Sequence, residues 1–254
     1  MRFRARRVRR YLLVTLVVVA GLLVAADIVA LQVYEARSAT GLARSTAAQK
    51  ASVDLGGSPF LPSYVRERLD EVQVEALGMT RGGLRVDRLT LRMRDVTFER
   101  GPAWALVRSL YSTRMLVTGR EVVGRFDVVE RDLSDYLRSR VPAVREVRIT
   151  QSGVEVSFEG AEGQGQPPVR YLPRVVTDDE EGRPRLTLQL LGATEVPRER
   201  TADARAIEGV IQLPRFPAGL QGTAELGNGV FIVEFAGAEA SLWVGAGRGD
   251  DEEG

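Results

Sequence analysis

Carboxylates and arginines are the only abundant side chains in this sequence able to do chemistry. The chain has no cysteine and no histidine. Disulfide frameworks, thiol nucleophiles and Cys/His zinc sites are therefore impossible. The usual proton carrier near neutral pH is missing as well, and with it the base of an ordinary serine hydrolase. No GxSxG elbow, Walker loop, HExxH helix or GxGxxG fingerprint is present. Asp70 with Glu71, Asp87 and Asp95 are the candidates for acid–base work, but any solvated acidic surface offers as many. Asp178, Asp179, Glu180 and Glu181 form an acidic run without the alternating ligand spacing of a calcium loop, so it reads as a solvated hairpin tip. Arg248-Gly249-Asp250 falls in a polar, acidic tail over residues 247–254, with no rigid turn to display it. Catalysis, a bound metal and a cofactor are not expected.

The arginines are unevenly placed. Six stand in the first ten residues: Arg2, Arg4, Arg6, Arg7, Arg9 and Arg10. Setting those six aside from 35 basic residues leaves 29 against 34 acidic ones. The rest of the chain is mildly acidic, and aromatics make up only 6%. Both facts argue against a nucleic-acid partner. Lys50 is the single lysine, a bias of composition and not of function.

Behind the arginines runs YLLVTLVVVAGLLVAA, Tyr11 to Ala26, then Asp27 and IVALQV. Sixteen helical residues rise about 24 Å, and a few more reach the roughly 20 needed to cross a bilayer. Residues 11–32 read as a transmembrane or signal-anchor helix. Asp27 stands near its end, where a carboxylate reaches interfacial water. Arginines on one flank place residues 1–10 in the cytoplasm and the domain outside. A small-x-small pattern at Val24, Ala25 and Ala26 leaves cleavage open, which would release the domain into a secreted or periplasmic-like space.

Residues 33–246 read as one extracytoplasmic domain. Leu31, Tyr34, Ser38, Leu42 and Ser45 form a weak stripe on a continuing helix. A short strand through Val53 and Leu55 leads to a turn at Gly56 and Gly57. A helix is expected over LPSYVRERLD, residues 61–70, with Leu61, Val65 and Leu69 every fourth residue. Val72, Val74 and Ala76 alternate as a strand, and Gly82 and Gly83 supply a turn. In LRVDRLTLRMRDVTF, Leu84 and Val86 share one parity, Leu89, Leu91 and Met93 the other, and Val96 and Phe98 the first. Bulges near Asp87–Arg88 and Arg94–Asp95 would keep all seven on one face. A short helix is expected over 103–113, with Trp104, Val107 and Tyr111 on one side. A strand follows through Val122, Val123, Phe126 and Val128. A helix with Leu133, Tyr136 and Leu137 comes next, capped by Asp132 and ended by Pro142. Val147 and Ile149 pair with Val154, Val156 and Phe158 across Gln151 to Gly153. After a loop at 161–168, YLPRVV and RLTLQLLG flank the acidic tip, and EGVIQLP, TAELGNG, VFIVEFAG and SLWVG read as further strands.

A long sheet with one apolar face beside a membrane suits lipid binding, since each methylene buried there gains about 0.8 kcal/mol. Leu84, Val86, Leu89, Leu91, Met93, Val96 and Phe98 are the groove candidates. The same residues can equally fill an ordinary core.

The runs VDLGGSPFLPSYVRERLDEVQVEALGM and GGLRVDRLTLRMRDVTF resemble the actinobacterial LmeA-like phospholipid-binding family of envelope proteins. The matching positions are Gly57, Pro59, Phe60, Leu61, Asp70, Glu71, Val72, Gly82, Gly83, Leu84, Val86 and Asp87. The specific part covers residues 50–100, and the resemblance extends over 27–245. It implies an α+β fold similar to tubular lipid-binding domains, with a long curved antiparallel sheet wrapped around an N-terminal helix. It further implies a non-catalytic protein that binds or transfers phospholipid and supports envelope lipid or lipoglycan maintenance. The partners are then phospholipid or another acyl-chain lipid and the cytoplasmic membrane. The alternatives are a structural envelope scaffold and an enzyme acting on lipid-linked glycans.

Overall fold

A computed structural model of the chain describes residues 2–57, 59–98, 115–159, 168–177, 184–191, 201–208 and 220–244. The expected helix at 103–113, the loop at 161–168 up to residue 167, the acidic tip and the C-terminal tail lie outside the described residues, as does EGVIQLP except Glu208.

Helix α1 spans Arg2–Thr46 without a break. It contains no proline, so nothing interrupts its hydrogen-bond ladder. Side chains from Leu13 to Val24 that are large and apolar stand exposed. From Asp27 onward one side of the helix is half-buried, and Leu31, Tyr34, Ser38 and Leu42 all lie on it. The expected stripe is thus present, except that Ser45 is exposed. Ala47 takes a positive φ of 50° and ends the helix.

The chain then builds β1 (Lys50–Gly56), α2 (Phe60–Val65), β2 (Arg68–Arg81), β3 (Leu84–Phe98) and β4 (Met115–Val129). Helix α3 (Glu130–Arg140) leads to β5 (Val144–Thr150), β6 (Gly153–Phe158), β7 (Val169–Thr177) and β8 (Pro184–Leu191). Helix α4 (Thr201–Ile207) precedes β9 (Gln221–Leu226) and β10 (Val230–Val244). The class is α+β, with an N-terminal apolar helix and a large antiparallel sheet. Among the described residues the strands fall into two sheets, one of six in the order β1-β2-β3-β4-β10-β9 and one of four in the order β5-β6-β7-β8. SLWV is not a separate strand but the end of β10.

The side-chain parity of β3 changes twice, where the sequence pattern places the changes. Buried positions step by three from Met93 to Val96, and Leu89 follows Val86 at the same interval. Pairing register, however, does not slip. The β2–β3 ladder passes from Glu71↔Arg94 to Leu69↔Val96, leaving out Asp70 and Asp95 together. The β3–β4 ladder leaves out Asp95 and Arg120, and the β4–β10 ladder leaves out Arg120 and Glu239. One residue leaves the ladder on each of four adjacent strands, so a fault line crosses the sheet. Asp95 and Glu239 absorb the step at positive φ, 48° and 57°. A second fault involves Gly78 (φ 61°) and Asp87 on β2 and β3 alone. These are matched steps, unlike the two-against-one bulges expected from β3 alone.

Two local expectations are corrected. The helix predicted over 61–70 stops at Val65, Glu67 adopts φ 58°, and Arg68 already pairs with Thr97. Phe60 and Tyr64 are its buried side chains, while Val65 is exposed. Asp132 does not cap α3. The N-cap residue is Val129, with no side-chain cap, and Asp132 lies in the first turn. Burial raises its pKa above the ordinary carboxylate value, against the opposing pull of Arg85.

The two sheets share one apolar core. A three-way hydrogen-bonded joint, two backbone bonds and one to a side chain, ties them. Glu130 N donates to Gly229 O (2.9 Å), and Gly229 N donates to Ile149 O (3.1 Å). Ile149 N in turn donates to Glu130 Oε2 (2.7 Å).

Candidate lipid-binding site

Six of the seven groove candidates, Leu84, Val86, Leu91, Met93, Val96 and Phe98, are buried on one face of β3. Leu89 is half-buried against the same core. Cross-strand register brings Val74, Leu91, Gly124 and Phe235 into one row over β2, β3, β4 and β10. Gly124 has no side chain, and the Phe235 ring occupies that space. A Cβ at Gly124 would stand 2.0 Å from Phe235 Cζ. Val72, Met93 and Val122 form the next row of the same face. The face is thus aliphatic and aromatic across four strands.

Helix α1 closes one end of this face through polar contacts that the sequence pattern did not signal. Asp27 Oδ2 accepts a hydrogen bond from Phe60 N (2.9 Å), and Oδ1 accepts one from Leu61 N (2.6 Å). Those two N–H groups open α2 and have no partner within it. Asp27 therefore caps a helix more than thirty residues away in sequence. Glu35 Oε1 accepts from Leu55 N on β1 (3.0 Å). Tyr34 Oη donates to Tyr64 Oη (2.7 Å). Around that bond the rings of Tyr34, Phe60 and Tyr64 pack against one another at tilted angles and Phe98 packs on Tyr64, with centroids 5.1–5.7 Å apart. Of the groove candidates, only Phe98 belongs to this cluster.

The motif residues have mainly backbone tasks. Gly57 takes φ 122°, and a Cβ there would approach Asp70 Oδ2 at 3.4 Å. Pro59, with φ −81° and ψ 138°, stands immediately before α2. Phe60 and Val72 are buried, and Leu61 packs half-buried beside them. Gly57, Pro59, Phe60, Leu61, Asp70, Glu71 and Val72 therefore gather at the α2 end. Gly82 (φ 58°) and Gly83 (φ 88°) make the two-residue turn between β2 and β3 at the opposite end. Both angles are positive, as a type I′ hairpin requires. Gly82 O there accepts from Arg140 Nη2 (3.3 Å). Asp87 lies on the second fault.

The outer face of the same sheet carries ion pairs. Arg92 Nε and Nη2 reach the two oxygens of Glu71 at 2.7 and 2.8 Å. Arg92, and after it a hydrogen bond from Gln73, hold the Glu71 carboxyl below its ordinary pKa. Arg94 meets Glu121 at 3.3 Å, and Arg125 meets Asp127 at 2.8 Å. The carboxylates singled out as acid–base candidates do not converge. Asp70 and Asp95 sit on the first fault, Asp95 paired with Arg68 at 3.2 Å, and Glu71 is held by Arg92.

Charged groups outside, a continuous apolar face inside and a long apolar helix clamped to one end define the class, an α+β protein with a large antiparallel sheet and an N-terminal apolar helix. The family model for LmeA-like phospholipid-binding proteins matches residues 25–242, and the chain belongs to that family. The match starts two residues before Asp27. No curated protein and no solved structure gives a significant match to the chain.

Proposed function

We propose that this protein binds phospholipid without catalysis, at the outer face of the cytoplasmic membrane. In this reading α1 is a retained anchor with residues 1–10 inside, and the domain handles lipid for the cell envelope. Family membership supports lipid binding. The observation that carries the rest is the uninterrupted apolar face across β2, β3, β4 and β10, clamped to a helix of membrane-crossing length. Leu84, Val86, Leu89, Leu91, Met93, Val96 and Phe98 supply the β3 part of the acyl-chain surface. Because six of these are already covered by protein, a lipid tail must displace the side chains that cover them.

The test is lipid analysis of the full chain purified in detergent, followed by exchange with labelled phospholipid vesicles. Diacyl phospholipid is expected in near-stoichiometric amount, exchangeable for the label. Lipid-free protein that takes up no label refutes the proposal. The close burial of those side chains favours a second reading, a filled core and a scaffold that works through its ion-paired outer face. That reading predicts the lipid-free result together with an unchanged fold.

A further inference from the structure

The place of α2 relative to the bilayer follows from where α1 stops being apolar on both sides. The sixteen residues from Tyr11 to Ala26 rise about 24 Å, and a hydrocarbon core is about 30 Å thick. The core therefore extends past Asp27 to about residue 30. The helix surface agrees. Ile28, Val29 and Val33 remain 51%, 59% and 37% exposed. Over the same turns, Asp27, Ala30, Leu31 and Tyr34 lie on the half-buried side. One short stretch of α1 thus offers bare apolar side chains on one side and grips the domain with the other.

Whatever is bound to that second side lies at the same depth. Helix α2 is bound there twice, through Asp27 to Phe60 N and Leu61 N and through Tyr34 to Tyr64. Its exposed side chains are Pro62 and Val65, the latter 61% exposed. Arg66 and Arg68 follow, both exposed, with half-buried Glu67 between them and Arg68 on the rim of the sheet in a pair with Asp95. An apolar side chain beside arginines, with tyrosines behind it, is the composition of a membrane–water interface. We infer that α2 sits in the outer-leaflet interface of a phospholipid bilayer, so that the Tyr34, Phe60, Tyr64 and Phe98 rings form the boundary between lipid and the apolar face of the sheet. The occupant of this surface is the bilayer itself, continuous with the lipid around α1. The inference rests on α1 being a retained anchor.

The absence of native cysteine makes single-cysteine labelling clean. Val65→Cys, Val18→Cys and Ser152→Cys are each made in the full chain and labelled with an environment-sensitive fluorophore. Each is reconstituted into phosphatidylcholine–phosphatidylglycerol vesicles, with and without lipids carrying a nitroxide near the top of the acyl chain. Position 18 reports the bilayer interior, and position 152, on the β5–β6 turn, reports water. The label at 65 is expected to emit blue-shifted from that at 152 and to lose at least half of its intensity to the shallow nitroxide. A label at 65 that behaves like the one at 152, while 18 emits as in hydrocarbon, overturns the placement of α2 and leaves the anchor standing. Water-like emission at 18 overturns the anchor and this inference with it.

Discussion

Gly124→Ala is a sharp test of how the apolar face is filled. Replacing a strand glycine with alanine ordinarily stabilises by about 0.5–1 kcal/mol, because glycine loses more backbone freedom on folding. Here the opposite sign is expected. The new methyl carbon would lie 2.0, 2.2 and 2.8 Å from Phe235 Cζ, Cε2 and Cε1. Carbon–carbon contact needs about 3.5–4.0 Å. The Phe235 ring must therefore move by more than an ångström, into a row that also holds Leu91. Overpacking of this kind costs about 1–3 kcal/mol. In a domain of this size that lowers Tm by about 2–4 °C per kcal/mol. The assay is thermal unfolding of the detergent-solubilised chain in a double-mutant cycle with Phe235→Leu. Gly124→Ala alone should lower Tm by about 2–12 °C. In the Phe235→Leu background, where no ring overlies position 124, most of that loss should vanish. A Gly124→Ala protein as stable as the parent, or an equal loss in both backgrounds, refutes the claim that Phe235 takes the space of the missing side chain.

Two further outcomes follow from named contacts. Asp27→Ala leaves the Phe60 and Leu61 N–H groups without their carboxylate and should cost about 1–3 kcal/mol. Hydrogen exchange at those two amides should speed up while the β5–β6 hairpin stays protected, and unchanged exchange counts against the clamp. For Glu71, the folded pKa lies below the ordinary 4.5 because Arg92 and then Gln73 hydrogen-bond to the carboxylate. A lowered folded pKa gives stability that is present above the unfolded value and lost as pH falls through the folded one. Any Tm advantage of the parent over Arg92→Met should thus be largest near neutral pH and close as pH drops well below 4.5. A gap that stays constant across that range argues against the pair.

What could be read in advance depended on how local its cause was. The parity breaks in β3 are visible in the chain because alternation has period two, and any change in it must be absorbed somewhere. The matching steps at Asp70, Arg120 and Glu239 were harder, because each shows only once the strands are aligned. At Asp70 a competing pattern hid it. Leu61, Val65 and Leu69 have helical spacing, yet Arg68 and Leu69 belong to the ladder opposite Thr97 and Val96. Tertiary pairing overrode local periodicity. Phe98 N donating to Glu67 O (3.2 Å) extends that pairing to the residue at positive φ. Asp27 carried no local signal for its role, since its partners are the amides of Phe60 and Leu61. A carboxylate at the end of an apolar helix reads equally as an interfacial residue. The match of Phe235 with Gly124 likewise shows only in the β4–β10 register.

The same contrast explains why the resemblance rested on the residues it did. Gly57, Gly82 and Gly83 are required by positive φ angles, Asp70 and Asp87 stand where ladders step, and Pro59 leads into α2. The positive φ of the glycines and the fixed φ of the proline are demands met by few residue types, so these positions make a recognisable pattern. The apolar face makes a weaker demand. Leu89, Leu91, Met93 and Val96 must be apolar and together of about the right volume, and exchanges among Leu, Ile and Met at such sites usually cost under about 1.5 kcal/mol. The acyl-chain surface we propose would need no more than this, because methylenes are recognised by area and not by direction. The frame is therefore legible residue by residue, whereas the lining is legible only as a parity. The proposed lipid binding is accordingly better tested at Asp27, which holds α2 at one end of the face, or at Phe235, which fills the space over Gly124, than by exchanging one aliphatic lining residue for another.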